Sequence, residues 1–462
     1  MTKRIVIVGG GAAGFFAALA CSEADPGAEI FILEKTAHFL AKVKISGGGR
    51  CNVTHACFNP REFTLRYPRG ERELIAPFQQ FSASDTVAWF AAKGVTLKTE
   101  ADGRMFPVSD TSQTIIDCLL GRARAAGVKL IPNCGVERVV EKMDGGLAGS
   151  LSSPEGGEGR GEEAPLSPVQ IPSLQPSPRS GGEPGAVSGG GRFQLTLSND
   201  ETLTCDQLLL AIGGCRTPAL GQLAVALGHT LEPPVPSLFT FLVATPWLRA
   251  LSGVAVELTE VSVPGTKLRE RGALLATHWG LSGPAVLRLS AWGARVLAEK
   301  NYQFPLHVNW LPHLNAEKLA KEFQSRRQYS GARLVVNVPL IPLTARLWEQ
   351  LVLASGIPRE TRWSALSGAA QHQLIQQLLC SEFPVTGKSL NKDEFVTCGG
   401  VRLREVNFKT MESRVCPGLF FAGEVLDLDG ITGGFNFQAA WTTGWIAGRA
   451  MAALVGDDVR SL

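Results

Sequence analysis

Three glycines near the N-terminus have the spacing of a dinucleotide-binding turn. Gly9, Gly11 and Gly14 form a GxGxxG pattern, and Glu34 follows 20 residues after Gly14. In this pattern the first glycine allows a tight turn, the second lets the backbone approach a pyrophosphate, and the third lets a helix pack closely on a strand. The acidic residue can accept hydrogen bonds from a ribose diol. These residues predict an adenine dinucleotide site, but the pattern alone does not distinguish FAD from NAD.

Two further segments favour a cofactor more extended than NAD. Residues 46–52 read SGGGRCN with Lys42 just before them, and the amides of such a loop can bind an anion together with Arg50 and Lys42. Near the other end, Glu424 follows an apolar run and residues 433–436 read GGFN. A carboxylate there can hold a polyol, and a helix start can stabilise negative charge on a reduced ring. A calcium loop is the alternative for this acidic, glycine-rich stretch, although its spacing differs from the EF-hand pattern.

The predicted elements place these residues where strands end and helices begin. Residues 4–8 are predicted to form a strand, residues 12–22 a helix and residues 29–33 a second strand, which together make a βαβ unit. Residues 334–338 are expected to form one of several later strands, and residues 438–455 a long helix.

Changes in composition divide the chain into a discontinuous domain and an insertion. Residues 1–217 are the expected first part of a cofactor domain, residues 218–390 an inserted mixed β/α region on the substrate side, and residues 391–462 the second part. Residues 144–192 are rich in Gly, Ser and Pro and contain no aromatic residue. Because such a segment buries too little apolar surface to offset its ordering entropy, it is predicted to be a disordered loop within a hairpin.

Composition also disfavours several classes of partner. The 462 residues contain 45 Lys and Arg against 42 Asp and Glu, a net charge of +3, so no nucleic acid partner is expected. No apolar stretch reaches the ~18 residues that cross a bilayer, so no membrane association is expected. The ten cysteines include no CxxC pair and no Cys/His cluster with zinc-ligand spacing. We therefore expect no metal, free thiols and a cytoplasmic location.

Two residues are weak candidates for a catalytic role, and neither is assigned one. Cys51 is a redox candidate with Cys57 as its nearest partner, and packing beside a cofactor is the alternative. His278 precedes Gly283 and Pro284, which can begin a helix and so place an imidazole near a cofactor as a proton donor. A structural histidine is the alternative for His278.

Four longer strings give the chain a specific resemblance. They are SGGGRCN, GRMFPVSD (residues 103–110), THWGLSGPAVL (residues 277–287) and the stretch from GGVRLREVNFK to TTGWIAG (residues 399–448). With them the chain resembles the HI0933-like flavoprotein family, also described as BaiN/YhiN-type or aminoacetone-oxidase-like FAD-binding proteins. The resemblance covers nearly the whole chain except residues 144–192. It implies an α/β fold, with a discontinuous Rossmann-like FAD domain of the two-dinucleotide-binding type that carries an inserted β-barrel-like and helical region.

The resemblance also implies a set of residues around FAD. By carry-over these are Gly9, Gly11, Ala13, Gly14, Glu34, Lys35, Lys42, Ser46, Gly49, Arg50, Cys51, Asn52, the backbone of Val136, Ala211, Gly213, Gly423, Glu424, Gly434, Phe435 and Asn436.

The implied activity is that of an FAD-dependent oxidoreductase acting on a small organic substrate. The sequence contains no second GxGxxG unit, so NAD(P)H remains open as a transiently docked electron donor. A flavoprotein oxidase that uses O2 and a flavin-containing, RNA-associated protein are the alternatives.

Overall fold

The computed structural model describes residues 2–142, 191–215, 218–389 and 396–453. The loop predicted over residues 144–192 lies outside the described residues, apart from its last two. The elements of the first part of the chain are, in order, β1 (Arg4–Val8), α1 (Ala12–Ala24), β2 (Glu29–Leu33), α2 (Ala41–Gly49), β3 (Thr54–His55), α3 (Pro60–Thr64), α4 (Ile75–Gln80), α5 (Ala83–Ala92), β4 (Leu97–Thr99), β5 (Arg104–Pro107), α6 (Ser112–Ala125), β6 (Lys129–Ile131), β7 (Val136–Glu141), β8 (Phe193–Leu197), β9 (Thr202–Cys205) and β10 (Gln207–Leu210).

The second region and the return to the first follow in the same order. The second region contains α7 (Pro218–Ala226), β11 (Leu231–Ser237), β12 (Thr240–Val243), α8 (Pro246–Arg249), β13 (Ala255–Ser262), β14 (Arg269–Ala276), β15 (Gly280–Ser282), α9 (Pro284–Trp292), α10 (Ala294–Glu299), β16 (Phe304–Asn309), α11 (Ala316–Ser330), α12 (Ala345–Ala354), α13 (Gly368–Leu379) and β17 (Ser381–Ser389). The chain then forms β18 (Val396–Val401), β19 (Val406–Asn407), β20 (Glu412–Ser413), β21 (Leu419–Phe421) and α14 (Phe435–Ala453).

A seven-stranded sheet in the order β19-β20-β21-β10-β1-β2-β6 forms the centre of the first domain. The five strands from β21 to β6 in this order run parallel. Most side chains of β1, β2, β10 and β21 are apolar and buried, as parallel strands covered on both faces require, whereas the edge strand β6 is partly exposed. Helix α1 connects β1 to β2, which confirms the predicted βαβ unit.

Helices α1 and α14 cross at short distance beside this sheet. A Cβ atom at Gly444 would lie 2.3 Å from the carbonyl oxygen of Ala13, and one at Gly448 would lie 2.2 Å from that of Ala17. These two glycines of α14 therefore let its backbone contact that of α1. Through this contact α14 is fixed on the N-terminal βαβ unit.

The inserted region is built on a closed antiparallel barrel with the strand order β12-β15-β14-β13-β16-β17. Helices α11, α12 and α13 share a hydrophobic core with it, which includes Trp348, Trp363 and Phe383. The strand expected over residues 334–338 is wrong: residues Val335–Asn337 form a 3-10 turn, and only Leu334 makes a β-bridge, to Arg362. A short buried apolar run does not distinguish a strand from a turn that packs under helices.

Two antiparallel strands, β11 and β18, connect the sheet domain to the barrel. They pair from Leu231 opposite Val401 to Ser237 opposite Val396. The barrel strand β12 follows β11 in the chain, and the barrel strand β17 precedes β18. The predicted fold class, a Rossmann-type α/β domain with an inserted barrel and helices, is confirmed. Within the part of the chain that the structure describes, no helix is long and apolar enough to cross a membrane.

Candidate cofactor and active site

The candidate site lies at the carboxyl ends of the parallel strands. Residues 9–11 follow β1, Glu34 follows β2, residues 211–214 follow β10, and residues 423–424 follow β21. These four strands are neighbours in the sheet. In open parallel sheets, the crevice at this edge is where nucleotides bind.

The N-terminus of α1 is shaped by close backbone contacts. Gly9 has φ +114°, and a Cβ atom there would lie 2.3 Å from the carbonyl oxygen of Ala211. A Cβ at Gly14 would lie 2.1 Å from the carbonyl oxygen of Gly9. A Cβ at Gly11 would meet no atom within 4 Å, and no side chain caps α1 at this N-cap residue. The first turn of α1 thus offers backbone N–H groups beside open space, as an anion site requires.

Glu34 is held by the turn that follows β1. Its carboxylate accepts hydrogen bonds from the Gly10 N–H (3.0 Å), the Thr36 N–H (2.9 Å) and the Thr36 hydroxyl (2.8 Å). A Cβ atom at Gly135 would lie 3.6 Å from Cβ of Lys35. Glu34, Lys35 and the start of β7 at Val136 therefore surround one end of the crevice.

Lys42 and Glu424 join α2 to the segment after β21. Lys42 Nζ lies 2.5 Å from Glu424 Oε2, and Glu424 Oε1 accepts a hydrogen bond from the Thr397 N–H (2.7 Å). The Cβ position of Gly213, whose φ is +75°, lies 4.0 Å from Lys42 Nζ. The structure thus brings together three residues that the sequence placed around one cofactor, although they are far apart in the chain.

The glycine loop at residues 46–49 departs from helical geometry at the end of α2. Gly48 and Gly49 have φ +69° and +84°, and a Cβ on either would meet nothing within 4 Å. Ser46 takes part through its carbonyl oxygen, which accepts the Cys51 N–H (3.0 Å). A side chain at Gly48 or Gly49 would both strain the backbone and enter the open space in front of the loop.

Arg50 does not contribute a free cation to this loop. Its guanidinium donates to Glu100 (2.6 Å), lies 3.6 Å from Asp110, and stacks 4.0 Å from the centre of the Phe106 ring. The two carboxylates and the hydrogen bond to Glu100 raise the pKa of Arg50. Its expected role as a cofactor ligand therefore requires these ion pairs to be exchanged.

The N-terminus of α14 is fixed by three contacts. The Asn52 amide, oriented with its nitrogen toward the Thr54 carbonyl (3.0 Å), accepts the Gly434 N–H (2.9 Å). The Phe435 carbonyl accepts the Tyr67 hydroxyl (2.5 Å), and the Asn436 amide exchanges two 2.8 Å hydrogen bonds with the backbone of Gly430. The first turn of α14 therefore lies beside residues 52–54.

A histidine that the sequence analysis missed lies at this helix start. The His55 ring stacks on Phe435 with a centroid distance of 4.9 Å, and its Nε2 lies 3.1 Å from the Asp102 carbonyl oxygen. Burial lowers the pKa of His55. His55 follows SGGGRCNVT directly, but only the packing of β3 against the start of α14 brings it to Phe435.

The carboxylates of the acidic stretch before α14 form ion pairs with arginines. Asp429 is completely buried and pairs with Arg69, and Asp427 accepts two hydrogen bonds from Arg295 (2.8 and 2.7 Å). Among the described residues, no group of His, Cys, Asp and Glu side chains has the geometry to hold a metal ion. The calcium-loop alternative is therefore not supported at these carboxylates.

Cys51 is completely buried, and burial raises the pKa of its thiol to about 12. The thiol is therefore protonated at pH 7 and a poor nucleophile. We therefore expect iodoacetamide to alkylate the exposed Cys380 and to leave Cys51 unmodified in the folded protein, as measured by peptide mass spectrometry. Rapid native modification of Cys51 would instead support a redox role.

His278 lies in a different part of the molecule from Cys51. It is exposed on the turn between β14 and β15 of the barrel, next to Trp279, whose surface is 67% exposed. The Trp279 carbonyl accepts the Val243 N–H, so this turn lies at the end of β12 that is remote from the β11 connection. The structure does not bring the two weak catalytic candidates together.

Comparison with known proteins identifies the relatives of this chain. A 3-dehydro-bile acid delta(4,6)-reductase of Clostridium scindens is 28% identical over 97% of this chain and 99% of its own length. A ribosomal RNA dihydrouridine synthase of Escherichia coli is also 28% identical, over 97% of this chain and 98% of its own length. A 3-ketosteroid-delta4-(5alpha)-dehydrogenase structure from Rhodococcus jostii RHA1 aligns over 97% of both chains with 14% identity and a TM-score of 0.48.

The family model for the HI0933-like protein Rossmann domain matches residues 3–155 and 185–450. The unmatched residues between them, 156–184, lie within the predicted loop, and the two matched stretches take in both the sheet domain and the inserted region. The chain therefore belongs to the HI0933-like family, the family of FAD-dependent oxidoreductases that its glycine-rich motifs predict.

Proposed function

We propose that FAD binds along the crevice described above, with its adenosine end at Glu34, Lys35 and the backbone of Val136. The open space in front of Gly11 and the uncapped first turn of α1 carry this assignment, because a pyrophosphate needs both close approach and unpaired N–H groups. Lys42, Glu424 and the loop at residues 46–49 would hold the middle of the cofactor. The first turn of α14 would face its redox-active end.

The reaction we propose is reduction of a carbon–carbon double bond conjugated to a carbonyl group. Both relatives support it by name, since removing a delta(4,6) unsaturation from a 3-oxo bile acid and converting uridine to dihydrouridine each saturate such a bond. When bound, FAD supplies the two electrons for this chemistry as a hydride equivalent. We propose NADH or NADPH as the electron donor, docking transiently rather than in a second Rossmann unit.

In this reaction, residues of the chain would stabilise the charge on the cofactor and bind its polar groups. Phe435, Asn436 and Phe437 begin α14, so their N–H groups and the helix dipole favour negative charge in front of them. Glu424 can accept hydrogen bonds from a polyol, and Lys42 beside it balances the carboxylate charge. No proton donor to substrate is assigned among the described residues.

The visible spectrum of the purified protein tests the proposal most directly. We expect a yellow protein with flavin absorbance that is bleached anaerobically by NADH or NADPH, and whose colour returns when an enone such as a 3-oxo-Δ4 steroid is added. A colourless protein would contradict FAD binding. Rapid reoxidation by O2 with no response to any enone or to uridine would favour the oxidase alternative.

Glu34→Ala should weaken FAD binding about tenfold or more, because hydrogen bonds to a charged acceptor contribute about 1.5 to 3 kcal/mol. Equilibrium titration of the apoprotein with FAD measures the change. Glu29→Ala is the matched control, since Glu29 begins the same strand at its opposite end and pairs with Arg4 and Lys129. Equal FAD affinities for the two variants would show that Glu34 does not bind the cofactor.

A second candidate substrate is RNA, favoured by how the charge is distributed. Residues 218–389 contain 16 Lys and Arg against 10 Glu and no Asp, a net charge of +6, although the whole chain carries only +3. A basic region of this kind can bind a polyanion through its phosphates. This observation weighs against the expectation, based on total charge, that no nucleic acid partner exists.

Fluorescence anisotropy with a labelled single-stranded RNA tests the second candidate. Binding that weakens steeply with salt, and that falls in the double variant Arg333→Glu/Arg362→Glu, would support it; the β-bridge from Leu334 to Arg362 keeps these two residues on neighbouring segments. Arg449→Glu, on α14 outside the inserted region, is the control. An equal loss in both variants would indicate nonspecific attraction.

A further inference from the structure

Arg69 connects three distant parts of the chain through one buried network. It lies between α3 and α4, and its guanidinium pairs with both carboxylate oxygens of Asp429. Nη1 of Arg69 also donates to the Ala291 carbonyl (2.6 Å), and the Ser237 hydroxyl donates to Asp429 (2.7 Å). Asp429 precedes α14, Ser237 ends β11, and Ala291 belongs to α9 of the inserted region. The network therefore joins the cofactor domain, the connection to the barrel and the barrel region itself.

The burial of this network indicates a role other than simple stability. The side chains of Arg69 and Asp429 are 11% and 0% exposed. Removing two charges from water costs energy that their attraction recovers only with good geometry, and apolar replacements of similar size are often as stable. An apolar pair, however, makes no directional hydrogen bonds, whereas the planar guanidinium of arginine holds its partners at defined angles.

The segment around Arg69 also fixes the start of α14. The Ile431 N–H donates to the Arg66 carbonyl (2.9 Å), and the Tyr67 hydroxyl donates to the Phe435 carbonyl (2.5 Å). Residues 66–69 therefore contact the turn of residues 429–435 by backbone, phenol and guanidinium. Arg69 thus links Ala291 to this turn, and Ser237 is linked to it through Asp429.

We propose that Arg69 is a positioning residue that couples the orientation of the inserted barrel to the turn in front of α14. This rests on the proposed function, in which that turn faces the redox-active end of FAD. The network sets one placement of the barrel region relative to that turn. Arg295 with Asp427 forms a second pair between the same two regions.

The test uses the full chain with FAD and the double variant Arg69→Met/Asp429→Asn, which removes both buried charges with side chains of similar size. We expect it to fold and retain FAD, while hydrogen exchange in residues 427–436 and 237–240 accelerates at least tenfold and the midpoint potential of the flavin shifts. Arg402→Gln is the matched control, because Arg402 pairs with Glu232 across the same connection, with side chains 34% and 32% exposed. The control should change neither readout.

Unchanged exchange and an unchanged potential in the double variant would overturn the proposal and leave the network as core packing. If the double variant does not fold, Arg69→Lys keeps the charge without the planar fork and should show the same faster exchange; exchange at the wild-type rate would overturn the proposal. Exchange is also measured on apoprotein, so a chain that binds no FAD refutes the proposed function while the coupling is still tested.

Discussion

Gly14→Ala is expected to destabilise the N-terminal βαβ unit strongly, whereas Gly11→Ala is expected to leave its stability unchanged and to weaken FAD binding. The Cβ atom added at Gly14 lies 2.1 Å from the Gly9 carbonyl oxygen, a backbone atom that cannot move without disrupting the turn. Such overpacking costs about 3 kcal/mol, a large share of the stability of a domain. The Cβ added at Gly11 meets no protein atom within 4 Å. The free energy of unfolding of the apoprotein should therefore lie within about 0.5 kcal/mol of the wild-type value.

The two variants together separate folding from cofactor binding. Thermal melting of the apoproteins gives the first quantity, and FAD titration followed by flavin fluorescence gives the second. We expect Gly11→Ala to bind FAD at least about a hundredfold more weakly, a loss of about 2.8 kcal/mol, because its methyl group occupies the space a pyrophosphate needs. Wild-type affinity in Gly11→Ala would mean that the cofactor does not approach α1 there.

The sequence predicted the parts of the fold that depend on local patterns. β1, α1 and β2 follow from an apolar run, three glycines and a second apolar run within 30 residues, and the observed bounds agree closely. The hairpin flanking the predicted loop is also present as β7 paired with β8. The strand predicted over residues 334–338 was wrong because these residues are buried by helices from other parts of the chain.

Parts of the site depend on contacts that no local pattern contains. Arg69 and Asp429 are 360 positions apart, and the acidic stretch before α14 reads as a ligand cluster until its arginine partners are known. Arg50 has the residue type of an anion ligand, but its guanidinium pairs with Glu100, which lies 50 positions later in the chain. The even total charge likewise hid a basic insertion within an acidic remainder. Spacing predicts which backbone segments meet; it does not predict which side chains neutralise each other.

Gly434→Ala should both destabilise the protein and weaken FAD binding by about a hundredfold. Gly434 has φ +94°, and its Cβ would lie 2.5 Å from the Thr54 carbonyl oxygen, while its N–H donates to Asn52. The structure thus gives this glycine a packing role, the close contact with β3. The clash costs about 3 kcal/mol, and relieving it by moving the start of α14 away from residues 52–54 would misplace the amides of its first turn.

Gly94→Ala is the matched control, because Gly94 has φ +85° and no atom lies within 4 Å of its Cβ position. An alanine there therefore causes backbone strain of about 1 kcal/mol without a steric clash. Melting temperature, FAD affinity and midpoint potential should change in Gly434→Ala, and only the melting temperature in Gly94→Ala. If Gly434→Ala melts like its control and binds FAD normally, then the contact between residues 52–54 and α14 does not position the site.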